Sequence, residues 1–229
     1  MGLAYYTADQ IQDRQVEVQG ELKRQPSWVL REGRLTEWLA KTDRGSRIVD
    51  FGAGSGEMEK QLIELGFTDI SAVDIDNYLQ DIGPGVKVNF VKADLSRDRL
   101  EIPDASADIV FAIQIFEHLE NPWHCAREIM RIAKPGGRIY FSIPDVTSLI
   151  NRLSFLFTGR FKTYGLKNNH ITIYTGETFR KLWGDGAEIK GIYHSQAWIR
   201  FFGRKLRLPG DSWLGKRFSR KIAYCLVRR

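Results

Sequence analysis

The chain has 229 residues, 43% hydrophobic and 27% charged, which excludes a disulfide-stapled mini-protein and suits one globular domain with a real core. The formal charge of +6 is unevenly placed: residues 200–229 hold ten Lys or Arg against Asp211 alone, leaving the rest mildly acidic. Neither a low-complexity tract nor an internal repeat is present.

Cys125 and Cys225 show no CxxC spacing and fit a reducing compartment better than a disulfide framework. The apolar runs "ADIVFAIQIF" and "LINRLSFLF" are too short to span a bilayer, and Arg152 interrupts the second. "MGLAYYTADQ" lacks the basic and apolar regions of a secretory leader. The expected location is the cytoplasm.

In chain order, residues 1–46 read as mixed helix, with Trp28, Leu30, Leu35, Trp38 and Leu39 near one face. Short β-like runs follow at "RIVDF", "ISAVDI", "VKVNFVKA", "ADIVFAI" and "RIYFSIP". Helical segments such as "GEMEKQLIELG" and "PWHCAREIMRIAKPGG" separate them, and Pro135 with two glycines stops the latter. This alternation predicts βαβ units and a mostly parallel sheet, an α/β fold. "VTSLINRLSFLFTGRF" predicts an amphipathic helix, and "TGETFRKLW" a further helix capped by Thr175. "AEIKGIYHS" and "KIAYCLVRR" read as late strands, and between them 195–220 reads as a long basic, aromatic loop.

The stretch "VDFGAGSGEM" joins a strand to a helix through Gly52, Gly54 and Gly56. A simple turn would not need three glycines, whereas backbone presented to a nucleotide would. The spacing is GxGxG rather than the dinucleotide fingerprint GxGxxG, and Asp50 lies two places before the first glycine. That acid is awkward beside a pyrophosphate and suits a ligand bearing an amine. A nicotinamide-dependent oxidoreductase is therefore disfavoured.

With "AVDID", "VKADL", "ADIVFAIQIFEHLENP" and "REIMRIAKPGGRIYFSIP" following in order, the chain resembles the class I S-adenosylmethionine-dependent methyltransferases of the small-molecule, type 11-like kind. The resemblance implies a Rossmann-like, doubly wound, seven-stranded, mostly parallel sheet with a C-terminal antiparallel strand. It implies one domain over 1–229, with the cofactor core at 47–144 and a substrate-covering segment at 145–185. S-adenosyl-L-methionine would be the cofactor. Its methionine end would lie on Asp50 and Gly52 and on the backbone at Ile113 and Gln114, and Gly54 and Gly56 would also contact the cofactor. Asp74, with Ile75, would take the ribose hydroxyls, Asp76 being a neighbour able to share the role. Asp94 would meet the adenine amino group, flanked by Ala93 and the Leu95 amide; Asp94 as a helix cap is the competing reading.

Methyl transfer from a sulfonium needs chiefly alignment, and needs a base only when the acceptor must lose a proton. His118, beside Glu117 just past the fourth strand, and His170, after the covering segment, are the two candidate bases. Glu117 and His118 organising the next helix is the alternative. No Cys/His cluster marks a metal site, so no metal is expected. Nor does "NPWHC" match a DNA-cytosine enzyme.

The 195–220 stretch interleaves Trp198, Phe201, Phe202, Trp213 and Phe218 with Arg200, Arg204, Lys205, Arg207, Lys216, Arg217 and Arg220. It reads as a loop packed on the domain, as an element lying on an anionic membrane, or as a nucleic-acid surface. The sequence thus predicts a methyltransferase acting on an oxygen, less readily a nitrogen or carbon, of a small or lipid-linked acceptor, peripheral to the inner membrane surface. An RNA methyltransferase and a non-catalytic S-adenosylmethionine-binding protein are the alternatives.

Overall fold

The β-branched and aromatic runs form strands β1 (Ile48–Phe51), β2 (Ile70–Asp74), β3 (Asn89–Lys92), β4 (Ala107–Ile113) and β5 (Ala133–Pro144) in a computed structural model of the chain. It describes residues 33–79, 87–165, 169–195, 197–201, 204–210 and 212–229. Trp28, Leu30 and Phe202 lie outside these residues, as do the side chains of Trp198, Arg200, Phe201, Arg204 and Lys205. Four more strands follow: β6 (Ala187–His194), β7 (Ala197–Phe201), β8 (Arg204–Leu208) and β9 (Lys221–Arg228).

Seven strands make one sheet in the order β3-β2-β1-β4-β5-β9-β6. The first five are mutually parallel, and β9 runs antiparallel to both β5 and β6. The expected C-terminal antiparallel strand is therefore an interior strand. β1 is buried throughout, as a strand covered on both faces must be, while β6 at the edge alternates between half-buried and exposed.

Helices α1 (Gly33–Ala40), α2 (Glu57–Glu64), α3 (Pro122–Ile132), α4 (Leu149–Thr158), α5 (Gly176–Trp183) and α6 (Trp213–Phe218) are the α-helices among the described residues. Adjacent strand residues point to opposite faces, so Val49, Val110, Ile139 and Phe141 pack with α3 and α5 through Ile129, Phe179 and Trp183. Ile48, Ile109 and Tyr140 instead pack with α1 and α2 through Leu39, Met58 and Leu62. Helices on both faces of a parallel sheet are the doubly wound arrangement.

Local chemistry sets the helix starts. Asn121 accepts a hydrogen bond from the His124 amide with Pro122 in the first turn of α3, and Thr175 forms a capping box with Thr178 at α5. The segment read as a loop over 195–220 holds more structure than expected. β7 and β8 pair as an antiparallel hairpin and α6 follows, capped by Ser212. The period-two pattern Lys205–Leu206–Arg207–Leu208 is a strand signal that the density of cations obscured.

Candidate active site

In an open α/β sheet, ligands lie at the carboxyl ends of the strands where the strand order reverses. Here that point is between β1 and β4, and the glycine turn leaves β1 there. Gly52, Gly54 and Gly56 all have left-handed φ, +79°, +53° and +83°, which side-chain-bearing residues rarely adopt. They differ in what surrounds them. A Cβ on Gly52 would come within 2.8 Å of Ile115 after β4, so its missing side chain makes room for the chain's own packing. A Cβ on Gly54 would meet nothing within 4 Å, and there the bare backbone opens outward. Gly56 is the N-cap of α2.

Asp74 binds this turn to the end of β2. Its Oδ2 accepts from the Gly54 amide at 2.8 Å and its Oδ1 from the Ile75 amide at 2.7 Å. Each oxygen keeps a second lone pair for a ligand hydroxyl. Burial nonetheless raises its pKa, the two amides opposing that shift. The Asp74 carbonyl accepts from the Ala93 amide at 2.9 Å, which carries the junction on to β3. Asp76 is exposed and pairs with Lys92 at 3.3 Å. Asp94 serves its own turn: Oδ1 accepts from the Ser96 amide at 2.9 Å and Oδ2 pairs with Arg97 Nε at 3.0 Å. Ala93 and Leu95 beside it are buried.

Asp50, at the end of β1 ahead of the turn, is buried, and no donor among the described residues meets its Oδ1. Its neighbour is Glu59 on α2, fully buried, with neither oxygen meeting a donor. Burial and the adjoining carboxylate push Asp50 well above the ordinary carboxylate range, and burial lifts Glu59 to about 7. Two acids in one dry place hold a proton between them at neutral pH. Sequence reasoning missed Glu59, although an acid three places before Leu62 on the buried face of α2 was the available signal.

At the end of β4, Ile113 closes the strand and Gln114 adopts φ +56°, a strained conformation for a non-glycine residue that costs about 1 to 3 kcal/mol. Gln114 is held to β5, its amide donating to the Ser142 carbonyl at 3.0 Å and its Nε2 to Ser142 Oγ at 3.3 Å. The chain then makes one 3₁₀ turn, Phe116–His118. Residues 171–174 are laced to it. The Ile171 and Thr172 amides donate to the Glu117 carbonyl at 2.7 and 3.1 Å, and Tyr174 Oη donates to the Phe116 carbonyl at 3.3 Å. This lacing brings the imidazoles of His118 and His170 edge to face, centroids 4.8 Å apart. His118 Nδ1 lies 3.2 Å from the Asn169 carbonyl, which only accepts, so Nδ1 carries the hydrogen and Nε2 the free lone pair. Burial lowers the pKa of both rings, that of His118 to about 4, keeping them neutral near pH 7. Glu117 is fully buried, and burial pushes its pKa up to about 8.

An open parallel sheet, a glycine turn at its switch point and acids at successive strand ends define the class I fold of S-adenosylmethionine-dependent methyltransferases. A family model described as a methyltransferase domain matches residues 23–186, and the chain belongs to that family, whose cofactor is S-adenosylmethionine. Similar proteins include the 27-O-demethylrifamycin SV methyltransferase of Amycolatopsis mediterranei, 30% identical over 46% of this chain and 42% of that one. Another is the ubiquinone biosynthesis O-methyltransferase of Paraburkholderia phymatum, 28% identical over 43% of this chain and 44% of that one. The matches thus span less than half the length of these relatives. A SAM-dependent methyltransferase from Archaeoglobus fulgidus shares the fold at TM-score 0.59 and 20% identity, covering 88% of this chain and 95% of that one. No helix among the described residues is long and apolar enough to cross a membrane.

Proposed function

We propose that the protein moves the methyl group of S-adenosylmethionine to an oxygen of a small, lipid-linked acceptor taken from the surface of an anionic membrane. The observation that carries this reading is the His118–His170 pair, centroids 4.8 Å apart, with the His118 amide bonded at 3.0 Å to the carbonyl of Ile115, the residue that packs on Gly52 of the cofactor turn. A neutral imidazole can take the hydroxyl proton as the oxygen–carbon bond forms and the carbon–sulfur bond breaks. In this reading Asp50 and the glycine turn hold the methionine end, Asp74 and Ile75 the ribose, and Ala93, Asp94 and Leu95 the adenine. Ile113 and Gln114 face the methionine end from β4. Relatives named 27-O-demethylrifamycin SV methyltransferase and ubiquinone biosynthesis O-methyltransferase support oxygen, and one named sterol 24-C-methyltransferase, 31% identical over 41% of this chain, supports carbon as the second reading.

The lipid part rests on α4. Its outer face shows Phe155, Leu156 and Phe157, the last two 72% and 79% exposed. Arg152, Arg160 and Lys162 border that face, and α6, which packs against α4, adds exposed Trp213 with Lys216 and Arg217. Apolar side chains ringed by cations suit the headgroup boundary of an anionic bilayer.

The test is incubation of the purified protein with methyl-labelled S-adenosylmethionine and an extract of its host, followed by partition. Label in the organic phase is expected. Label in water-soluble small molecules would sink the lipid-linked acceptor, and label in nucleic acid would favour an RNA substrate. Cofactor binding with no transferred label in any fraction would favour a binding protein without turnover.

A further inference from the structure

We propose that Glu117, His118 and His170 form a binding site for a divalent transition ion of the zinc class, and that this ion holds and acidifies the acceptor hydroxyl. The proposal deepens the oxygen-methylation reading above and rests on it for the acceptor's role, though not for the ion's binding.

The geometry comes first. One ligand atom from each residue lies within 4.8 Å of the other two. Three such atoms share a point about 2.8 Å or less from each, so closing on an ion at about 2.0 to 2.2 Å needs side-chain shifts of only about 0.7 Å. These are small rotamer adjustments at the end of a tight 3₁₀ turn.

Orientation agrees with ligation. The Asn169 carbonyl fixes the Nδ1–H tautomer of His118 and presents Nε2, which is the outer-layer bond that metal-binding imidazoles make. His170 is steadied by the Thr163 backbone and by the Tyr164 ring at 5.3 Å. The Tyr164 hydroxyl is engaged elsewhere, donating to the Thr172 carbonyl at 3.0 Å, so it does not compete for the cluster.

Glu117 supplies the independent observation. Its side chain is fully buried, yet neither oxygen meets a hydrogen-bond donor among the described residues. A buried carboxyl with no donor is costly. Lys221 at the start of β9 is near enough to be felt electrostatically but donates no hydrogen bond to it. A metal ion ligated by one carboxylate oxygen would remove that cost.

Donor type selects the ion. Two imidazoles and one carboxylate suit zinc, manganese(II), iron(II) or cobalt(II) rather than calcium or magnesium, and three protein ligands leave coordination positions open. An acceptor hydroxyl in one of them would have its pKa lowered. Its proton leaves to solvent, its oxygen takes the methyl carbon, and the sulfonium departs as a neutral thioether. His118 and His170 then act as ligands, and the ion takes over the task of a base. The sequence shows no metal spacing because the two histidines are 52 positions apart and meet only through the lacing of 171–174 onto the 3₁₀ turn.

The test is titration of tag-free, chelator-treated full-length protein with cobalt(II), read by its visible d–d absorption, with and without competing zinc. One tightly bound ion per chain, displaced by zinc, is expected. Glu117→Gln and His170→Ala should each weaken cobalt binding at least about 10-fold, since even outer-layer losses cost that much. Calorimetry with S-adenosylhomocysteine reports whether each variant keeps its fold. Absence of a zinc-displaceable band, or an unchanged band in a folded variant, would overturn the site. Binding of the ion without binding of S-adenosylhomocysteine would instead overturn the cofactor reading. Methyl transfer undiminished in chelator-treated protein would overturn the ion's part in the chemistry.

Discussion

At the scale of single residues, the site is governed by where buried carboxyls find partners. Asp74 finds two amides, and its removal should do two things. Asp74→Ala frees the glycine turn from β2 and deletes the expected ribose contact, each a charge-assisted hydrogen bond of about 1.5 to 3 kcal/mol. We expect a loss of cofactor affinity of about 10- to 150-fold by calorimetry; unchanged affinity removes the ribose assignment. Glu59 faces the acid Asp50, and burial raises its pKa from the ordinary 4.5 to about 7. A carboxyl raised on folding binds more protons in the native state, so stability is highest below about 4.5 and falls as pH climbs through about 7. Melting temperature should therefore drop between these values in the cofactor-free protein. Glu59→Gln should flatten that slope, removing a loss on the order of 3 kcal/mol by pH 8. An identical slope in parent and variant would place the proton elsewhere.

At the scale of elements, α4 leaves apolar side chains exposed, Leu156 and Phe157 above all. Ser148 caps its start and Gly159, with φ +65°, ends it, so the helix stands without burying Leu156 or Phe157. Leu156→Ser combined with Phe157→Ser should leave thermal stability within about 0.5 kcal/mol of the parent, since exposed positions contribute little. The same pair should cut binding to anionic vesicles at least about 10-fold in sedimentation, each apolar side chain contributing about 1.5 to 3 kcal/mol when buried in lipid. Parent protein that stays in the supernatant would end the membrane reading. The hairpin β7–β8 and α6 lie in the segment read as a loop, and their period-two and capping signals were local and legible. Charge density drew the reading towards partners and away from structure.

At the scale of the whole molecule, β9 closes the architecture. The last strand in sequence sits between β5 and β6 and pairs with both, so it supplies two ladders and buries Ala223, Tyr224, Cys225 and Leu226. Phe141 of β5 stacks on Tyr224 at 5.1 Å and on Phe179 of α5 at 4.0 Å, joining strand, neighbour and helix in one cluster. Truncation after Arg220 would leave β6 without its sheet partner and expose the β5 edge. Loss of a cooperative thermal transition by circular dichroism is expected; a sharp melt in the truncated chain would mean that β6 pairs directly with β5.

The sequence by itself determined the periodicities, and these carried most of the fold. Buried strands read as continuous apolar runs, Thr175 announced a helix, and three alternate glycines announced bare backbone between a strand and a helix. Such features depend on neighbours a few residues away, which is why they could be read from the chain. What each group faces was decided only by tertiary structure. Gly52 makes room for Ile115, and Asp94 closes its own turn with Ser96 and Arg97. Asp50 meets Glu59, and His118 meets His170 through bonds from 171–174. Desolvation and proximity depend on the packing of segments distant in sequence, and they set the charge state on which the chemistry turns.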